Sequence, residues 1–164
     1  MKTFKLYSLS LLEGKNGNVH QKMIPIDDGL IINMENDKKM WYIEAVISQD
    51  YLKYFEDVKN QKGHILVDVV ITSKDNHPAA MISSVQNITE LAEQNISVLL
   101  EAKLALKKDD IIEDVLKDLV SRGFSSEALI QEFKNEMETL ASHPKSALGT
   151  IYRSIQESGL YKLQ

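Results

Sequence analysis

Apolar and polar residues alternate with a period of two through the first two-thirds of the chain and with a period near 3.6 thereafter. The clearest alternating stretch puts Ile96, Val98, Leu100, Ala102, Leu104 and Leu106 on one side, with Ser97, Glu101, Lys103 and Lys107 opposite. Good helix formers occupy several of these positions. Strict alternation nonetheless outweighs weak intrinsic propensity, so the stretch reads as a strand. At about 3.3 Å per residue it would run roughly 36 Å, longer than an ordinary strand, which predicts the bending or coiling found in barrels.

Other segments of the first part read the same way. Lys2 to Glu13 predicts a strand, and the following Gly14, Lys15, Asn16, Gly17 and Asn18 a hairpin turn, because Asn-Gly tolerates the positive φ angles that a tight hairpin demands. A second strand spans Val19 to Ile24, ended by Pro25, which cannot donate to a ladder. Asp27, Asp28 and Gly29 predict a turn into Leu30–Ile32, and Asn36 and Asp37 another before a β-rich run from Met40 to Ile47. Ser48 reads as the cap of a short helix from Gln49 to Asn60, ended by Gly63. His64 to Thr72 has Ile65, Val67, Val69 and Ile71 on one face and Leu66 and Val70 on the other, the composition of a strand covered on both sides. Asp75, Asn76 and Pro78 turn the chain into a strand from Ala80 to Thr89.

Beyond Leu106 the helical period takes over. Ile111, Ile112, Val115, Leu116, Leu119 and Val120 recur at helical spacing, opened by Asp109 and Asp110 and closed by Arg122 and Gly123, with Asp110 and Glu113 placed as a capping pair. Leu129, Ile130, Phe133, Met137 and Leu140 stripe a second helix joined by a short connection, which predicts an antiparallel helix hairpin. After His143 and Pro144, a terminal helix carries Ala147, Leu148, Ile151, Tyr152 and Ile155. The expected fold is α+β: an antiparallel β-barrel core over residues 1–107 with one short helix, then a helical region over 108–164 made of the helix pair and a terminal helix.

Composition narrows the function classes. A hydrophobic share of 43% and a charged share of 26% are ordinary for a globular chain and argue against long disorder. Net charge is −5, and only Arg122 and Arg153 offer the planar fork that grips phosphate, so no nucleic-acid partner is expected. Cysteine is absent, which excludes disulfides, thiolate nucleophiles and cysteine-ligated zinc. Ser8 and Ser10 interrupt the N-terminal apolar run and Glu13 follows it, so this run reads as a strand rather than a leader. No stretch reaches the roughly 18 apolar residues of a membrane span, and the expected location is the cytoplasm.

Candidate chemistry is sparse. His20, His64, His77 and His143 stand far apart in no metal-ligand spacing, and no metal or other cofactor is expected. Asp27, Asp28, Asp75, Asp109 and Asp110 are each explained by a turn or a helix start, and no facing carboxylate pair is fixed. Neither GxSxG nor SxxK occurs, and Gly14-Lys15 lacks the spacing of a phosphate loop. The expectation is therefore a chain with no catalytic residues. The apolar helix faces, namely Leu129, Phe133, Met137, Leu140, Leu148, Ile151, Tyr152 and Ile155, are the expected interaction surface for a second copy of the chain, as dimer or tetramer, or for another protein.

The strings MKTFKL at the start, DGLIIN from Asp28, WYIEA from Trp41 and DVVITSKDNHPA from Asp68 together resemble the YwpF-like family of Gram-positive bacteria. The resemblance covers most of the first half, and the segment past His143 reads as an extension. It implies a β-barrel shaped like the Hcp-type tube proteins of type VI secretion, carrying a C-terminal helix pair, and it brings no catalytic residues. Shape alone is a weak guide to activity. The resulting expectation is a non-enzymatic interaction or assembly module that does not form a hexameric ring. The alternative is a small-molecule binder or an enzyme without a known motif, using a barrel-end pocket near Asp27–Gly29 and Asp75–Pro78.

Overall fold

The computed structural model describes residues 1–15, 18–76, 78–105, 108–142, 155–156, 159, 161 and 163. Its strands in chain order are β1 (Lys2–Lys15), β2 (Asn18–Ile24), β3 (Ile26–Asn33), β4 (Trp41–Ser48), β5 (Ile65–Ile71), β6 (Ala79–Glu90) and β7 (Asn95–Leu104). Its helices are α1 (Leu52–Asn60), α2 (Lys108–Ser121) and α3 (Ser126–Ser142). Antiparallel pairing runs from β1 through β3, β4, β7 and β6 to β5, and β5 returns to β1 to close a six-stranded barrel. The α+β reading therefore stands, with the helix pair after the barrel.

Closure depends on β1, whose 14 residues let one strand serve three partners. Lys2 to Lys5 pair with β3, Leu6 to Leu12 with β5, and Leu9 to Lys15 with β2. Lys15 opposite Asn18 gives the expected hairpin, whose turn residues Asn16 and Gly17 lie outside the described residues. β2 and β3 follow one another along one edge of β1, separated by Pro25 where a ladder donor is missing. Asp27–Gly29 is not a free turn: it belongs to β3, with a register shift between Ile26 and Asp28. Asp and Gly suit a bulge for the same conformational reasons that they suit a turn, which is why the local pattern misleads.

Curvature comes from bulges elsewhere than expected. Register shifts lie between Leu6 and Ser8 on β1, between Ile26 and Asp28 on β3, and between Val85 and Asn87 on β6. β7 pairs with β4 without a shift and ends at Leu104, so the partners take up the bend. Leu104 is 41% exposed at the end of the strand, although it shares the inward side with buried Ile96, Val98, Leu100 and Ala102. Leu106 lies outside the described residues.

The inner wall is a continuous apolar core. Leu9, Ile31, Ile43, Val67, Val98 and Leu100 meet there, and α1 adds Phe55 and Val58. Ser83, the one buried hydroxyl there among the described residues, donates to the Ile65 carbonyl at 3.2 Å, which satisfies it without leaving the sheet. The expected helix from Gln49 divides into a single 3-10 turn, Gln49–Tyr51, capped by the Ser48 hydroxyl accepting from the Asp50 amide at 3.2 Å, and then α1. At its far end the left-handed residue is Lys62, with φ 52°, and the Gly63 amide reaches back to the Val58 carbonyl at 2.9 Å. The helix thus ends at Asn60, and the left-handed turn falls on the residue before the glycine that announced it.

α2 closes on a Schellman arrangement in which Gly123, at φ 92°, donates to the Val120 carbonyl and Phe124 donates to the Leu119 carbonyl, both at 3.1 Å. α2 begins one residue ahead of Asp109 and Asp110, which fall in its first turn, though their side chains lie outside the described residues. The expected terminal helix falls largely outside them as well, with Ile155 and Gln156 helical. No described helix is long and apolar enough to cross a membrane.

Candidate functional site

The polar rim loops hold carboxylates already engaged in holding the backbone. Asp27 accepts from the Asn95 side-chain amide at 2.8 Å, tying the β3 bulge to the start of β7, and Asp28 accepts from the adjacent Gly29 amide at 2.9 Å. Asn76 binds the Ile71 carbonyl through its side-chain amide, and its backbone amide donates to Ser73 at 3.1 Å. Glu35 accepts from the N-terminal amine at 2.9 Å, which holds its carboxyl below the usual range, and Lys2 lies 3.5 Å away. These contacts fix loops and rims rather than converge on a space.

A different arrangement sits on the outer wall of β1, β5 and β6. Side chains alternate along β5, so Ile65, Val67 and Val69 face the core while His64, Leu66 and Asp68 face outward. The rung Leu12, Leu66 and Ile82 forms a second buried apolar cluster, completed by Ile155 and flanked by Tyr161 and Leu163. This explains why β5 is apolar on both faces: its outer face is covered by the far end of the same chain. Leu163 forms a parallel bridge with His64, and Tyr161 meets the His64 ring edge-on at 5.2 Å.

One rung along, Ser10, Asp68 and Ala80 lie side by side, with Ser10 and Asp68 buried. Asp68 is 5% exposed, and burial pushes its carboxyl up to about 6. No hydrogen bond to it is found among the described residues. Burial also lowers His64 from its ordinary value, and its Nδ1 finds no partner among the described residues. The sequence puts His64 in no metal-ligand spacing and gives no role to Asp68; an acidic residue in the middle of an otherwise apolar strand is the signal for it.

The helix pair offers a third region. Arg122 bridges α2 and α3 by contacting Asp118 at 3.1 Å and Glu136 at 2.6 Å, and its guanidinium lies 5.4 Å from the Phe124 ring centre. Leu129, Phe133 and Met137 are half-buried in a stripe with Glu132 and Glu136, the side that this ion pair turns toward α2. Val120 and Ile130 are 60% and 58% exposed. Among the expected surface residues, the Leu140 side chain and all of Leu148, Ile151 and Tyr152 lie outside the described residues. Ile155 departs from the expected surface: it is 6% exposed, because it packs on the apolar seat that Leu12, Leu66 and Ile82 of its own barrel provide.

Residues 2–136 match the sequence model of the family described as YwpF-like protein. The chain is 36% identical over 137 residues to the uncharacterized protein YwpF of Bacillus subtilis (strain 168), covering 84% of this chain and all of that one. It is also similar to the crystal structure of a hypothetical protein from Staphylococcus aureus, with a TM-score of 0.58 and 28% identity over 85% of this chain and 94% of that one. On the strength of the family match and the Bacillus relative, the chain belongs to the YwpF-like family.

Proposed function

We propose that this protein is a non-catalytic assembly module in which the barrel supplies a rigid body and the helix pair supplies the surface for a second copy of the chain. The observation that carries this reading is the incomplete covering of α2 and α3. Among the described residues no single strand of the barrel meets α2 or α3 as extensively as the two helices meet each other, and Val120 and Ile130 stay more than half exposed. Two amphipathic helices that cover one another only in part gain by burying the remainder against an equivalent pair. A two-fold arrangement does this in one step, so the assembly is a dimer or a tetramer. A barrel shaped like the Hcp-type tube proteins, as the family resemblance implies, need not form their six-membered ring, which requires head-to-tail contacts from edge to edge.

Light scattering after gel filtration tests this directly. The full chain is expected as dimer or tetramer at micromolar concentration, and the double variant Val120→Asp with Ile130→Asp as monomer with unchanged circular dichroism. A monomeric or hexameric parent, or an unchanged assembly in the variant, overturns the reading.

A further inference from the structure

Six strands close the barrel, and β2 is left with β1 as its one ladder partner among the described residues. β4, the next strand round the ring beyond β3, ends at Ser48, one residue past its pairing with Ile26. There the chain turns into Gln49–Tyr51 instead of running on beside β2. The edge left open is unbroken, because β2 pairs with β1 over its seven residues without a register shift. Hydrogen-bonded pairs alternate along such a ladder from the hairpin's closing pair, Lys15 with Asn18, so the N–H and C=O groups of Val19, Gln21 and Met23 point away from β1. An unpaired row of this kind is a template for another strand. We propose that the free edge of β2 docks an extended acidic segment of a partner protein, which adds to the sheet as a further strand.

The side chains along the edge set the sign of that partner. His20, Gln21, Lys22 and Met23 are all exposed, Met23 by 65%. Cross-strand neighbours share a face, so Lys22, opposite Leu11, lies on the core side of the strand with His20, while Met23, opposite Ser10, lies on the outer side with Val19. The Lys22 ammonium rests 5.7 Å from the Tyr51 ring centre and has no carboxylate partner among the described residues, in a chain whose net charge is −5. β2 itself carries no acid. A second copy is a poor occupant: pairing β2 with itself about Gln21, the register that matches the outward groups, sets each Lys22 against His20 of the other copy with no anion in either strand. A segment with carboxylates opposite Lys22 and His20 and aliphatic residues opposite Met23 and Val19 suits both faces, while its main chain takes up the outward pairs. Lysine on an edge strand guards against indiscriminate pairing, and here the same charge selects a partner of opposite sign. The edge stands apart from the helix pair, so it does not depend on the assembly reading above.

The test is an NMR titration of the full chain with a synthetic peptide whose central residues run Val-Glu-Thr-Glu-Val, a pattern that reads the same in either strand direction. Amide protection is expected to rise at Val19, Gln21 and Met23 and not at His20 and Lys22, whose amides already face β1. Lys22→Glu is expected to weaken the acidic peptide about ten-fold and to favour its counterpart with lysine in place of both glutamates, an exchange of preference that loss of folding cannot produce. Gln21→Pro removes one outward donor and none from the β1 ladder, and it is expected to weaken the acidic peptide likewise. Should that variant fail to fold, the Lys22→Glu exchange carries the test. The helix variant Val120→Asp with Ile130→Asp is expected to bind the peptide as the parent does, so this proposal and the assembly reading fail separately. No binding to the parent, equal binding of acidic and basic peptides, or protection confined to other strands overturns the proposal. So does an oligomer of the parent that Gln21→Pro dissolves, which would make a second copy the occupant.

Discussion

The inner and outer walls of β5 belong to the same seven residues and follow different rules. Ile65, Val67 and Val69 face a core built by strand register and closed by α1, and all three are at most 2% exposed. On the other face Leu66 and Asp68 are also buried, and Leu66 is buried by Ile155, 89 residues further on. Among the described residues the inner face buries one polar side chain, Ser83, and satisfies it. The outer face keeps a carboxylate without a donor and an imidazole nitrogen without a partner among the described residues. A wall enclosed by the barrel has nowhere to send a polar group, whereas a wall covered by a distant segment can retain groups suited to water or to another ligand.

The difference should appear most strongly in packing. Ile43→Ala, in the inner wall, is expected to cost about 4 kcal/mol in urea denaturation, and Leu66→Ala about 2 kcal/mol, because the C-terminal segment can settle onto the smaller side chain. Equal costs would mean that the outer wall is as firmly held as the inner one.

A second comparison probes how closely the inner wall is fitted. A Cβ on Gly29 would stand 2.9 Å from Leu6 Cδ2 and 3.1 Å from the Glu44 carbonyl oxygen. Gly29→Ala is therefore expected to lose about 2 kcal/mol through overpacking, read in the same denaturation experiment. A neutral result would show that β1 and β4 can part there without penalty.

On the outer wall the test is electrostatic. The Asp68 carboxyl rises from 3.8 to about 6 on folding, so between these values the folded chain holds more proton than the unfolded one. Its contribution to stability accordingly falls as pH rises through that window. Its cross-strand neighbours Ser10 and Ala80 carry no charge to offset this. Asp68→Asn should stabilise the protein by about 1–2 kcal/mol at pH 7.5, a figure discounted for the solvent that still reaches the group, and should give no gain near pH 3. A pH-independent effect would assign the change to packing instead.

His64 works in the opposite sense and more weakly. Burial lowers it from 6.5, so the unfolded form takes up its proton first on acidification, and the stability it contributes is full above that value and declines below it. Once the slower intrinsic exchange at lower pH is divided out, the protection of the Leu163 and Leu66 amides is expected to fall from pH 7 to pH 5. This response should be lost in His64→Gln; a variant that keeps it would place the titrating group elsewhere.

Much of this was legible in the residue pattern because periodicity is a local property. Alternation located the strands, and the change of period placed the passage from β7 to α2 between Leu104 and Lys108, close to where the sequence predicted it. Two-sided apolarity also announced that β5 would be covered on both faces. Local chemistry could not separate a turn from a bulge at Asp27–Gly29, or say that Lys62 rather than Gly63 would take the left-handed position, since both outcomes draw on the same residue types.

The sequence by itself determined where most of the strands and the helix pair lie, and that no familiar catalytic motif is present. Tertiary structure alone decided that β1 closes the ring against β5, that Ile155 belongs to a barrel wall rather than to a free helix face, and that Asp68 and His64 share one covered surface. The physical reason is range. Hydrophobic period is written over a few residues, but the burial of a carboxylate or the filling of a wall depends on segments far apart in the chain, whose meeting is set by the register of the whole sheet.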